Sequence, residues 1–124
     1  MSFRGLTVYQ KAFSLAMDIY EISKTFPKEE KYSLTDQIRR CSRSVCATVG
    51  EAYRKRQYEN YFVNKVSDAD MENTETQVWL DFSLACKYLD DETRKNLMDR
   101  SEEVGKMLNH MISHPEKYLN KKDK

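Results

Sequence analysis

Apolar residues recur along this chain at alternating steps of four and three. That interval keeps them on one face of a helix lying almost parallel to its neighbours. Val8, Ala12, Leu15, Ile19, Ile22 and Phe26 follow it without a break and predict a first helix over residues 7–25. A second row, Tyr9, Phe13, Ala16 and Tyr20, widens that face until it needs more than one neighbour, inside a bundle or across a subunit boundary. Pro27 stops the helix, and residues 27–32 form a charged connector. Leu34, Ile38, Cys41, Val45, Val49 and Ala52 predict a second helix over 34–55, opened by a weak capping box of Ser33 and Asp36. Gly50 within it marks close approach of another helix, or a bend.

Phe62, Val66 and Ala69 begin a third seam over 58–89, which Met71, Glu75, Val78, Phe82, Ala85 and Leu89 are expected to carry on, with Trp79 beside it. At 1.5 Å per residue this helix would reach about 45 Å, so one end should project from its neighbours or bend over them. Leu97, Val104, Leu108 and Met111, flanked by Met98 and Ile112, predict a fourth helix over 92–113, capped by Asp90 or Asp91 and stopped by Pro115. Residues 116–124 read as a basic flexible tail. Four amphipathic helices with short connectors predict an all-α, antiparallel up-down-up-down four-helix bundle in a single domain over 1–115.

Composition narrows the chemistry more than the fold. With 3 Gly and 2 Pro in 124 residues, a sheet of short strands is disfavoured. A net charge of +1 gives no global attraction to nucleic acid or membrane, so any electrostatic function rests on local segregation of charge. No run of about 18 apolar residues could span a bilayer. The first ten residues lack the order of a signal peptide, and the three cysteines, Cys41, Cys46 and Cys86, form no CxxC pair. All three cysteines are expected in helical, partly apolar surroundings, and a reducing cytoplasm is the expected compartment.

Charge is segregated. Arg39, Arg40 and Arg43 lie within a turn of one another, and Arg54, Lys55 and Arg56 close the second helix. Between residues 66 and 92 eight acids face one base, Lys87. The six basic residues can contact nucleic-acid phosphate, the guanidinium groups in bidentate fashion, or they can pair with those acids across helices or subunits. Glu51, Glu75 and Gln77 are expected to form a buried polar belt, with Glu75 pairing Arg39, Arg40 or Arg43 to fix register. A di-iron site needs Glu-x-x-His on two helices, and the two histidines, His110 and His114, are too few for zinc and read as surface residues. No nucleophile motif and no phosphate-cradling glycine loop occurs, so neither an enzyme nor a cofactor is expected. Tyr9, Tyr20, Tyr53, Tyr58 and Tyr61 suit a subunit interface, or stacking of single-stranded bases beside Arg54 and Arg56.

The ordered set Leu6-x-Val8-Tyr9-Gln10-x-Ala12, Phe26-Pro27, Gln37-x-Arg39-Arg40, Ser44-Val45, Glu75-Thr76-Gln77-x-Trp79-Leu80 and Tyr88-Leu89 resembles the bacterial four-helix-bundle proteins, or 23S rRNA intervening-sequence proteins. Where that family commonly has Asn-Ile-Ala-Glu-Gly, this chain has Thr48-Val49-Gly50-Glu51-Ala52. The resemblance implies a non-enzymatic bundle assembled into a homopentameric ring. The family is similar to the accessory proteins of diversity-generating retroelements, which implies RNA or DNA, or a protein such as a reverse transcriptase, as partner, and no membrane.

Overall fold

The computed structural model describes residues 2–120. They form four α-helices and no strand: α1 Thr7–Ser23, α2 Leu34–Arg54, α3 Glu59–Ala85 and α4 Asp91–Ser113. Short 3-10 turns lie at Phe3–Gly5, Lys28–Glu30 and Pro115–Lys117. α1 and α3 each touch α2 and α4, and the diagonal pairs do not meet among the described residues. This is the pattern of a four-helix bundle.

The helix ends follow local chemistry. Ser33 does not cap α2. Its hydroxyl donates to Glu30 Oε1 at 2.6 Å, and the Leu34 amide is 3.4 Å from the same oxygen, so Glu30 takes the capping place. Asp36 instead lies 3.9 Å from Arg40 on the helix exterior. α3 stops four residues short of the expected Leu89. Lys87 takes a left-handed conformation (φ 66°), with the Tyr88 amide donating to Ser83 O at 2.8 Å and the Lys87 amide to Leu84 O at 2.9 Å. That pair of bonds is a Schellman stop, built on a lysine where glycine is usual. Asp90 caps α4, accepting the Thr93 amide at 2.7 Å.

Three of the four expected seams are buried. Val8, Ala12, Leu15 and Ile19 of α1, all six expected residues of α2, and Leu97, Val104, Leu108 and Met111 of α4 lie in the core. α3 corrects the reading. Its buried stripe is Phe62, Val66, Ala69, Asn73, Thr76, Leu80 and Ser83, an unbroken four-three series through three polar residues. Of the residues expected to continue the seam, Met71 is 70% exposed, Val78 44% and Phe82 51%, and Glu75 and Ala85 are exposed too. Only Leu89, beyond the helix, is buried.

Polar residues enter the core because they find partners there. Asn73 Nδ2 donates to Ser101 O at 2.9 Å, Ser101 Oγ donates to Asn73 Oδ1 at 3.0 Å, and Gln77 Nε2 donates to Ser101 Oγ at 3.0 Å. Thr76 Oγ1 lies 3.2 Å from Cys41 Sγ and 3.0 Å from Glu72 O. These groups separate two apolar clusters, one around Val49, Phe62 and Leu108 and the other around Ile38, Leu80 and Leu97. The belt expected from sequence therefore exists with other members. Gln77 belongs to it, whereas Glu51 and Glu75 are exposed and Glu51 pairs with Lys65 at 3.2 Å.

Both ends of the chain fold back on the bundle. The Phe3 ring lies 3.5 Å from where a Cβ on Gly50 would stand, so that glycine meets the N-terminal turn and not a helix. Tyr118 stacks on Phe62 with ring centroids 6.3 Å apart, and the Asn120 amide donates to Arg56 O at 3.4 Å. Residues 116–120 thus form a packed strap over the start of α3 where a flexible tail was expected. Residues 121–124 of that tail lie outside the described residues. Cys41 and Cys46 are buried, but Cys86 is exposed at the end of α3.

Candidate functional site

The second apolar row of α1 closes onto the core only in part: Ala16 is buried and Tyr9 packs against it, whereas Phe13 stays half exposed. Tyr9, Phe13 and Ala16, with Met17, line an open groove of about 1110 Å³ between α1 and α2. Its far wall is the helical face of Cys46, Ala47 and Gly50, and the Phe3–Gly5 turn closes one end. Phe13 is 49% exposed and Met17 44%. Four arginines, Arg4, Arg43, Arg54 and Arg56, stand around it. Its single carboxylate, Glu51, is engaged by Lys65 at 3.2 Å.

The six basic residues do not act as one block. Arg43, Arg54 and Arg56 reach the α1–α2 groove together. Arg56 lies over the Tyr53 ring at 3.7 Å and donates from Nε to Tyr53 O at 2.8 Å. Arg39 sits over Tyr20 at 4.9 Å, with its Nε donating to Ser23 Oγ at 2.7 Å, and Arg43 approaches the same ring at 5.4 Å. Stacking of this kind orients a guanidinium without neutralising it. Arg40 turns to the other flank of α2 and lines a second, polar groove with Gln37, Ser44, Glu72 and Glu75, which Arg43, standing between the two grooves, also borders. Lys55 lies over Tyr58 and Tyr61 at 5.7 and 5.5 Å, at the corner leading into α3.

A few acids of α1, α3 and α4 pair with cations outside that group of six. Asp81 pairs with Arg94, Asp18 with Arg100 at 2.6 Å, and Glu103 with Lys11 at 3.3 Å. Among the described residues the one acid within 4 Å of the six basic groups is Asp36, 3.9 Å from Arg40. Among the described residues Glu75 makes no ion pair with Arg39, Arg40 or Arg43, although it lines the same groove as Arg40 and Arg43. Burial holds the Glu72 carboxyl above its usual range, with Glu75 and Asp68 pushing the same way.

The remaining motif residues are structural in their contacts. Thr76 and Gln77 belong to the buried belt. Trp79 packs on the cluster around Leu80 and tilts against Phe82 at 5.6 Å, and its Nε1 is buried without a hydrogen-bond partner. Burial pushes the Cys41 and Cys46 thiols up to about 11, which keeps both protonated near neutrality. His110 and His114 stack with centroids 4.6 Å apart, and His110 Nδ1 meets the Tyr118 hydroxyl at 2.8 Å.

With this geometry in place, comparison identifies the lineage. A family model described as 23S rRNA-intervening sequence protein matches residues 4–110. The chain belongs to that family. The match spans all six basic residues and most of the groove, leaving Ser2, Phe3 and Asn120 of its lining outside, and ends before the turn at Pro115–Lys117. A crystal structure of a protein of unknown function from the S23 ribosomal protein family of Bacteroides thetaiotaomicron is similar, with 29% identity and a TM-score of 0.78. The similarity covers 86% of this chain and 95% of that one. No curated protein matches the chain. No helix among the described residues is long and apolar enough to cross a membrane.

Arg4 and Met17 were missed as site residues in the sequence. Arg4 lies outside any periodic segment and reaches the groove only because the N-terminal turn folds over Gly50. Met17 was open to detection, since it stands one turn beyond Phe13 on the same face of α1.

Proposed function

We propose that this protein is a non-enzymatic, self-associating four-helix scaffold that holds nucleic-acid phosphate in the α1–α2 groove. One observation carries the reading: arginines gather around a groove whose single acid is already paired. In the groove, the Arg43 and Arg56 guanidinium groups lie over the Tyr20 and Tyr53 rings, an arrangement that leaves terminal N–H groups to contact phosphate. The buried, protonated thiols and the mutually stacked histidines fit a binding protein better than a catalyst. The reading takes the helices to run up-down-up-down, which the pairings Glu51–Lys65 with Cys41–Thr76, and Asn73–Ser101 with Asp81–Arg94, support.

Fluorescence anisotropy with short RNA and DNA over a range of salt concentrations tests it. Affinity should fall steeply with salt, and an Arg43→Ala/Arg54→Ala variant should show a shallower slope by about 1 to 2 units. Absence of binding at moderate salt in the intact protein would refute the proposal.

A second surface favours a protein partner. Met71, Val78 and Phe82 form an exposed apolar stripe along α3 with Glu75 among them, and such stripes mark association surfaces. In this reading copies of the chain meet there and close into a ring, a pentamer as the family resemblance implies. The rival occupant is a polymerase such as a reverse transcriptase, which would make the protein an adaptor. Light scattering of a Val78→Ser/Phe82→Ser variant distinguishes them: loss of mass assigns the stripe to self-association, and unchanged mass refutes that assignment.

A further inference from the structure

We infer that the α1–α2 groove selects unpaired nucleic acid, with bases lying against Phe13 and Met17 while Arg43 and Arg54 hold the adjoining phosphates. The inference rests on the phosphate-binding reading and adds the class of ligand. A site that recognised phosphate alone would gain nothing from an apolar floor. Here Phe13 and Met17, one helical turn apart, are 49% and 44% exposed between arginines. Apolar surface left in water costs roughly 25 cal/mol per Å², so a ligand that covers both side chains recovers that cost. The occupant must be negatively charged, because four arginines line the groove and its one carboxylate is bound to Lys65. It must also present flat apolar faces. A strand with exposed bases meets both conditions, since every base has a π-face and every linkage a charge. A duplex meets only the first, because its bases are stacked on one another and its outer surface is phosphate and sugar.

The test is anisotropy of the full-length protein with a labelled pyrimidine 15-mer, as a single strand and as its duplex, at one moderate salt concentration. The single strand should bind at least ten-fold tighter. Phe13→Ala should weaken it about ten-fold while leaving the salt slope unchanged, since a lost stacking contact releases no counterion. Phe13 is half exposed, so this variant should keep its fold, which a thermal melt checks. Equal or tighter duplex binding, with Phe13→Ala neutral, overturns the inference and leaves the phosphate reading standing. No binding of either probe removes both. If Phe13→Ala lowers the mass seen by light scattering and leaves the affinity unchanged, the groove is filled by a second copy of the chain, and the inference falls.

Discussion

Replacing Asn73 by alanine tests the claim that the centre of this bundle is held by polar contacts. Asn73 is 2% exposed, gives one hydrogen bond to Ser101 O at 2.9 Å and accepts one from Ser101 Oγ at 3.0 Å. Each such bond contributes about 1 kcal/mol net, and the Ser101 hydroxyl left without its acceptor adds a desolvation cost of similar size. These terms come to about 3 kcal/mol. For 124 residues the unfolding entropy is roughly 0.26 kcal/mol/K, so the melting temperature should drop by about 11 °C. Calorimetry of Asn73→Ala, Ser101→Ala and the double variant provides the assay, and the pair should couple by about 1 to 2 kcal/mol. Gln77→Ala removes a single half-buried bond and should cost about 1 kcal/mol. A loss below 1 kcal/mol for Asn73→Ala, or coupling near zero, would refute the argument that these bonds hold α3 against α4.

Three further outcomes follow from local geometry. Lys87→Gly relieves the left-handed strain at the end of α3 and should raise the melting temperature by about 4 °C, as measured by circular dichroism. Gly50→Ala places its Cβ in ordinary contact with Phe3 at 3.5 Å and should stabilise by up to about 1 kcal/mol, whereas at Gly105 the Cβ would stand 3.2 Å from Asn73 Nδ2 and the same change should gain nothing. Urea titrations of the pair should separate the two sites. The hydrogen bond from Ser33, then that from Tyr88, holds the Glu30 carboxyl below its usual range. A carboxylate with a lowered folded pKa contributes stability above its unfolded value near 4.5, and that stability is lost as pH falls through the lower folded value. Glu30→Gln should therefore flatten the acid limb of stability below pH 4.5, and an unchanged limb would assign it to other carboxylates such as Asp90.

What the sequence made legible is what a single period can carry. On α1, α2 and α4 the apolar residues at four-three steps are the buried ones, so count, order and core face of those helices were readable. The family resemblance drew on the same segments, and the family match extends over residues 4–110. What stayed hidden depends on contacts between distant residues. The cap that Glu30 supplies to Leu34, the fold-back of Phe3 over Gly50 and the docking of Tyr118 on Phe62 leave no periodic trace. The basic residues were visible as a cluster. Their division between two flanks of α2 was not, because it depends on partners from other segments: Arg39 turns toward Tyr20 of α1, while Arg40 borders the groove that Glu72 and Glu75 of α3 line.

α3 is the case in which hydrophobicity points to the wrong face, and the reason bears on function. From Ala69 onward two stripes compete: Asn73, Thr76, Leu80 and Ser83 against Met71, Val78, Phe82 and Ala85. The second is the more apolar, yet the first is buried. Burial of Asn73 and Thr76 is tolerable only because Ser101 and Cys41 meet them from neighbouring helices, so the interior has exchanged some apolar driving force for directional contacts. Among the described residues the exterior stripe is covered little, and Phe82 stays half exposed beside Trp79. A helix with polar contacts inside and apolar residues outside is unfavourable for an isolated bundle. It becomes favourable once a partner covers the outer stripe, which is why self-association forms part of the proposed function.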